Sequence, residues 1–224
     1  MITVHHLNQS RSQRILWMLE ELNLEWQLVT YRREADMQAP VALRKIHPLG
    51  KSPVLEDNGH ILAESGAILE YLQETYDHDQ RLRPSLPAER LQYRFWMHYA
   101  EGSLMPLLTL SLALVLLSRA PVPWLLRPTG KALAGGLHKA WLGPQLANHA
   151  GFIEHHLAHH PWFAGGQFSA ADIQMSFPVA ALLSREAPEH LPHLQAWWRK
   201  AQLRPGWQSA LLRGGPFSIP GRAG

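Results

Sequence analysis

Apolar and polar positions alternate in two different ways along the chain, and the change falls near residue 80. In the first third the pattern is short and mixed. Ile2 to Leu7 predicts a strand, and the segment from Ser10 to Asn23 predicts a helix, because Ile15, Leu16, Leu19 and Leu22 recur at helical spacing. Trp26 to Tyr31 predicts a second strand. A short helix over Val41 to Ile46 must stop before His47-Pro48, since the residue preceding a proline is pushed out of the helical region. Pro53 to Glu56, the turn Asp57-Asn58-Gly59 and His60 to Leu62 predict a β-hairpin. Ser65 opens a helix with an apolar stripe at Ile68, Leu69 and Leu72 that ends near Tyr76. The resulting order is β-α-β-α-β-β-α.

Residues 77 to 87 carry charges and two prolines with little apolar periodicity, which suits an exposed connection. The expected organisation is therefore an α/β domain over 1–78, a linker over 79–87 and an all-helical bundle over 88–224. Beyond the linker, strand signals almost vanish. Prolines 121, 123 and 128 and the pair Gly135-Gly136 divide the second half into separate helices. Phe168-Ser169-Ala170-Ala171-Asp172-Ile173 has the pattern of a capped helix start, with Ser169 as N-cap and Asp172 three residues later. The Gly- and Pro-rich residues 213–224 are expected to form a flexible tail. The most apolar run, Leu104 to Leu117, is short for the roughly 20 residues that span a bilayer and is expected to be a buried helix.

Composition narrows the function. The chain of 224 residues has no cysteine, which excludes disulfides, thiolate metal sites and any mechanism using a thiol of the protein itself. If sulfur chemistry occurs here, a ligand brings the sulfur. The charge of +3 is scattered rather than clustered, which argues against nucleic acid as partner. No basic or long apolar segment opens the chain, so the expected compartment is the cytoplasm, without membrane insertion. His155, His156, His159 and His160 form two i, i+4 pairs, a spacing that can hold a metal, but no clear further ligand completes a set beyond Glu154, and a solvated helical face is the expectation.

Three segments of the first domain would meet if its elements form one sheet: 8–14 after the first strand, 51–53 before the third, and 64–65 after the fourth. Ligands collect at the carboxyl ends of strands in such sheets. Ser10 and Ser65 each fall at a predicted helix start, where unpaired N–H groups favour an anion, although either serine could simply cap its helix. Glu64 could pair with an ammonium group beside a carboxylate held at Ser65, which together would hold an α-amino acid end. Ser52-Pro53 could be a cis-proline that presents backbone groups to an extended peptide.

The runs Leu7-Asn8-Gln9-Ser10-Arg11-Ser12-Gln13-Arg14-Ile15-Leu16-Trp17, His47-Pro48-Leu49-Gly50-Lys51-Ser52-Pro53-Val54-Leu55 and Leu62-Ala63-Glu64-Ser65-Gly66-Ala67-Ile68 together resemble the glutathione-binding half of cytosolic glutathione S-transferases, in particular serine-type bacterial and fungal members. Phe168 to Asp172 is similar to that family's capping motif, so the resemblance extends over essentially the whole chain. It implies a thioredoxin-like first domain, an all-helical second domain, glutathione as cosubstrate, an apolar electrophile as second substrate, and a homodimer. The catalytic serine of such members stands four residues before an arginine, which selects Ser10 before Arg14, with Ser12 as runner-up. Pro53 is the cis-proline of the resemblance, and Ser52 would pair its backbone with the cysteinyl part of glutathione. Glu64 and Ser65 would take the γ-glutamyl end, and Lys51 and Gln38 the glycyl carboxylate. Two positions depart from the pattern: His47 stands where asparagine often precedes the motif proline, and Gln38 where a histidine is common. Conjugation is the expected reaction, peroxide reduction could use the same thiolate, and a non-catalytic binding module of the same fold is the alternative. The electrophile is expected between Asn8 and helices that include Tyr99 and Met105.

Overall fold

The computed structural model describes residues 1–34, 38–185 and 190–219. Four strands, β1 (Ile2–Leu7), β2 (Trp26–Tyr31), β3 (Val54–Asp57) and β4 (His60–Ala63), form one sheet in the order β2-β1-β3-β4. β1 pairs parallel with β2 and antiparallel with β3, and β3 with β4 is the expected hairpin. With α1 (Gln13–Glu21), α2 (Val41–Ile46) and α3 (Ser65–Tyr76), this is the thioredoxin-like β-α-β-α-β-β-α order. An all-helical bundle follows: α4 (Pro87–Tyr99), α5 (Met105–Leu116), α6 (Arg127–Leu137), α7 (Gly143–His159), α8 (Ala170–Leu183), α9 (Pro192–Gln202) and α10 (Pro205–Gly214).

One helix start differs from the sequence expectation because a local side-chain bond competes with helical pairing, while α3 starts at Ser65 as expected. Gln9 has a positive φ of 52°, and the Ser10 hydroxyl accepts the Ser12 N–H at 3.2 Å, so α1 begins at Gln13 rather than Ser10. Ser65 is the first residue of α3 rather than its cap; Glu64, at φ 71°, holds the cap position without a capping side-chain bond.

Between α3 and α4 the chain is tied down rather than loose. The Asp77 carboxylate accepts the N–H groups of Arg81 and Leu82, Leu82 is buried, and its carbonyl accepts from Ala170 at the start of α8. α8 is buried over nearly its whole length and forms the axis of the helical domain. Its capping box is made as expected: Asp172 accepts the Ser169 N–H at 2.9 Å, and also the Phe163 N–H and the Trp197 indole N–H. Burial pushes this carboxyl up to about 6, against the pull of those four hydrogen bonds, including the one from the Ser169 hydroxyl.

The Leu-rich run does not stand alone. A π-helical turn, Ala100–Leu104, joins α4 to α5, giving one helix from Pro87 to Leu116 that is long and apolar enough to cross a membrane by length and composition. Its inward residues Tyr93, Trp96, Ala100, Leu104 and Leu108 belong to the core shared with the sheet domain and the other helices. The expectation of a buried Leu104–Leu117 helix is corrected, since only Leu104, Met105 and Leu108 of that run are buried and Val115, Leu116 and Leu117 are exposed.

The expected flexible tail is corrected for residues 213–219. Arg213 and Gly214 complete α10, and Arg213 pairs with Glu20 at 2.8 Å. Phe217 packs among Phe177, Trp198 and Trp207. Phe217 and Ile219 are half-buried against the core, which seats the segment on the helical domain. Residues 220–224 of that tail lie outside the described residues.

Candidate active site

The sheet domain and the helical domain enclose a cleft of about 480 Å³. Leu7, Gln9, Ser10, Gln38, Lys51 and Ser52 line it from one side, and Met105, Leu108, Thr109, Leu112, Phe177 and Ala181 from the other. The π-helical turn sets the direction of the second wall, because the extra residue per turn rotates α5 relative to α4. Five cationic side chains, Arg11, Arg33, Arg44, Lys51 and Arg185, line the cleft, and among the described residues none that lines it is acidic. Such a cleft concentrates an anionic ligand.

Ser10 lies at the base of the cleft and keeps 8% of its surface exposed; Ser12, two residues on, keeps none. Their hydroxyl oxygens are 2.7 Å apart, and Ser12 Oγ is 2.8 Å from His6 Nδ1. Burial lowers the pKa of His6, and a hydrogen bond to the Gly214 backbone opposes that shift. Gly214 permits the approach, since a Cβ there would overlap Leu16 Cδ1. Ser10 also borders a smaller cavity of about 260 Å³ beneath the C-terminal segment. Asn8 opens on that smaller cavity rather than on the cleft.

Arg14 is 1% exposed and links three elements. It donates to the Gln174 carbonyl (2.8 Å) and side-chain oxygen (2.9 Å), to Ser65 Oγ (3.0 Å) and to Glu101 Oε1 (2.6 Å). Burial opposes the charge on this guanidinium and Glu101 supports it. Burial likewise works against ionised Glu101, yet Arg14 and Arg11 hold its pKa below the usual carboxylate value. Arg11 Nε lies 3.2 Å from Glu101 Oε2, within ion-pair range but not aligned for a hydrogen bond. Ser65 is thus buried on Arg14 with its backbone at the N-terminus of α3, and Glu64 beside it is exposed.

The Ser52-Pro53 bond is cis. The Ser52 hydroxyl donates to the His5 carbonyl at 2.9 Å and accepts the Leu7 N–H at 3.2 Å, which fixes the segment against β1. Before it, Gly50 has φ 58°, where a Cβ would overlap the Arg44 side chain; glycine is required by both backbone and space. Lys51 and Gln38 are exposed at the cleft.

Sequence reasoning missed several lining residues. Arg33, Arg44 and Arg185 are scattered over 150 positions and meet only through the fold, and Ile219 reaches the cleft because Phe217 anchors the C-terminal segment. Phe177 carries the guanidinium of Arg11 at 5.5 Å from its ring centre. Of the two helical residues expected beside the electrophile, Met105 lines the cleft; Tyr99 instead packs on Trp96 and Phe152 and hydrogen-bonds His149, and burial raises its pKa. Among the described residues no group of three or more His, Cys, Asp or Glu side chains is placed to hold a metal. His156 bonds the Phe163 carbonyl at 3.0 Å, and burial lowers its pKa to about 4.

A thioredoxin-like sheet domain, a cis-proline at the edge of its cleft and a helical domain closing the other side define a two-domain protein with a cationic cleft between its domains. The N-terminal-domain model of glutathione S-transferases matches residues 1–74, and the C-terminal-domain model matches residues 142–205. The chain is 39% identical over 212 residues to glutathione S-transferase 3 of Schizosaccharomyces pombe, covering 94% of this chain and 86% of that one. It is 36% identical to glutathione S-transferase 1 of Saccharomyces cerevisiae, over 88% of each. Among solved structures, a glutathione S-transferase from Actinobacillus pleuropneumoniae superposes with a TM-score of 0.78 at 29% identity, over 97% of this chain and 94% of that one. A theta-class enzyme from Xanthomonas axonopodis, solved with glutathione bound, gives 0.68 at 26% identity, over 97% and 98%. The chain belongs to the glutathione S-transferase family, and is thereby an enzyme with glutathione as its cosubstrate.

Proposed function

We propose that this enzyme conjugates glutathione to a small apolar electrophile, and that Ser10 rather than Ser12 stabilises the reacting thiolate. The observation that carries this reading is the arrangement His6–Ser12–Ser10. With the His6 ring held neutral by burial and its other side against the Gly214 backbone, Nδ1 acts as acceptor, and the Ser12 proton goes there. Ser12 is then committed and buried. The Ser10 proton remains free to turn from Ser12 Oγ toward a sulfur in the cleft.

A free thiol with pKa about 8.5 is only a few per cent ionised at neutral pH. Lowering that pKa by one unit corresponds to about 1.4 kcal/mol, within reach of one hydroxyl donor placed beside cationic groups. The thiol proton passes to solvent at the cleft mouth, the sulfur lone pair forms the new bond to carbon, and the bonding pair of the displaced group leaves with it. Peroxide reduction would use the same thiolate.

In this reading Glu64 takes the ammonium of the γ-glutamyl end and Ser65 its carboxylate, with Arg14 holding Ser65 in place from below. Ser52, beside cis-Pro53, pairs its backbone with the cysteinyl part, and Lys51 and Gln38, with Arg44 nearby, face the glycyl carboxylate. The apolar wall of Met105, Leu108, Leu112 and Phe177 receives the electrophile. A cytoplasmic homodimer completes the proposal; Leu91 and Phe95 on α4 and Phe152 on α7 are its exposed apolar candidates for the shared face.

Turnover of glutathione with a panel of chromogenic electrophiles and hydroperoxides tests the reading. Wild type and Ser12→Ala are expected to turn over at least one of them and Ser10→Ala to lose most of that rate. Saturable glutathione binding with no turnover of any compound would instead assign the non-catalytic module.

A further inference from the structure

The segment from Trp124 through α6 to Leu142 is the part of the molecule least accounted for by its own fold. Neither the 3-10 turn Trp124–Leu126 nor α6 contains a buried residue. Yet both are rich in large apolar side chains: Trp124 is 72% exposed, Leu125 68% and Leu133 67%, with Leu126, Leu137 and Trp141 also exposed. Gly130 packs closely on the Leu117 carbonyl, so α6 is held on the end of α5 while these side chains remain uncovered. Contiguous exposed apolar surface of this kind marks an interaction site.

Charge narrows what covers it. From residue 102 to residue 153 the chain contains no Asp or Glu, while Arg119, Arg127, Lys131 and Lys139 all fall on this segment or its approach. Arg119, Lys131 and Lys139 are exposed, and among the described residues none of the four makes an ion pair. A second copy meeting this face about a two-fold axis would set cation against cation, because such an interface pairs a patch with itself. A surface that is anionic and apolar beneath matches both features: tryptophan and leucine enter the boundary of headgroups and acyl chains while lysine and arginine meet the phosphates.

We propose that Trp124–Leu142 is a docking surface for an anionic lipid bilayer, lying in the interface rather than crossing it. The cleft lies on other elements, so this proposal stands independently of the glutathione reading. Co-flotation of the full-length protein with phosphatidylcholine vesicles, with and without about a third phosphatidylglycerol, tests it. Flotation is expected only with the anionic vesicles, and raised salt is expected to release the protein. Lys131→Glu changes two charges near the surface and is expected to weaken partitioning about thirtyfold. The double substitution Trp124→Ser, Leu125→Ser is expected to abolish it at unchanged melting temperature; if that variant does not fold, Lys131→Glu, at an exposed side chain, remains decisive. Absence of flotation at low salt, equal flotation with neutral vesicles, or no effect of Lys131→Glu would overturn the proposal. So would sedimentation showing that the apolar substitutions convert a dimer to a monomer, which would give the face to a second copy.

Discussion

The two walls of the cleft are built on different principles. On the sheet side directional hydrogen bonds fix the key side chains: Ser52 spans two backbone groups of β1, Ser12 bonds His6, and Arg14 donates to Ser65, Gln174 and Glu101 together. On the helical side Met105, Leu108, Leu112 and Phe177 offer apolar surface without directional contacts to a ligand. A wall of fixed hydrogen bonds selects one ligand, because each misfit leaves a buried polar group unpaired. A wall of apolar contacts accepts many, since one methylene more or less changes binding little. Under the proposed function, the first wall carries the specificity for glutathione and the second the breadth toward electrophiles.

Arg14 is where the two walls meet, and removing it gives the largest expected effect. Arg14→Leu leaves the half-buried Glu101 with only Arg11 nearby and removes the buried donor to Ser65 and Gln174, and is expected to lower unfolding stability by about 2–3 kcal/mol, read by urea denaturation. A loss below about 1 kcal/mol would show that the arginine does not join the walls.

Next in size is the serine pair. Ser10→Ala is expected to reduce kcat/KM for conjugation by about a hundredfold, in the range for loss of one donor to developing or stabilised negative charge. Ser12→Ala is expected to cost less than about tenfold, since Ser10 keeps its proton and its acceptance of the Ser12 N–H. The reverse order, read by steady-state kinetics, would transfer the donor role to Ser12.

A smaller change tests the rim of the sheet wall. Lys51 is exposed, so Lys51→Ala is expected to raise KM for glutathione about threefold without changing kcat, as for a solvent-screened ion pair. A change in kcat instead would place Lys51 in the chemistry.

The smallest effect lies behind the helical wall. The folded-state pKa of His156 is lowered to about 4, so the folded protein resists protonating it; that stability is present above pH 6.5 and is lost as pH falls toward 4. His6 and His149 shift in the same direction, while Asp172, raised to about 6, acts in the opposite sense over the same window. His156→Phe is expected to flatten the fall in melting temperature between pH 7 and pH 4.5. An unchanged slope would show that His156 protonates freely in the folded state.

Legibility in the sequence follows the same division between the walls. Strand and helix positions in the sheet domain, the hairpin at Asp57-Asn58-Gly59 and the cap at Ser169 and Asp172 depend on neighbours a few residues apart, and periodicity and turn chemistry reveal them. The start of α1 was less legible, because positive φ at Gln9 and the Ser10 bond to the Ser12 N–H override the local preference; that Ser65 bonds Arg14 instead of capping α3 depends on a long-range contact. The cationic lining of Arg33, Arg44 and Arg185, and the arrival of Ile219 in the cleft, depend on contacts between distant segments that no short spacing encodes. The docked C-terminal segment is the plainest case: its glycines and prolines suggest a free tail, whereas Arg213 pairs with Glu20 and Phe217 packs on Trp198 and Trp207.

The most direct test of the central claim is an ultraviolet titration of glutathione bound to wild type and to Ser10→Ala, following thiolate absorbance against pH. The account predicts a bound thiol in the wild type that ionises at least one unit below its free pKa of about 8.5, and a return toward that value in the variant. Equal ionisation in both proteins would contradict the role assigned to Ser10.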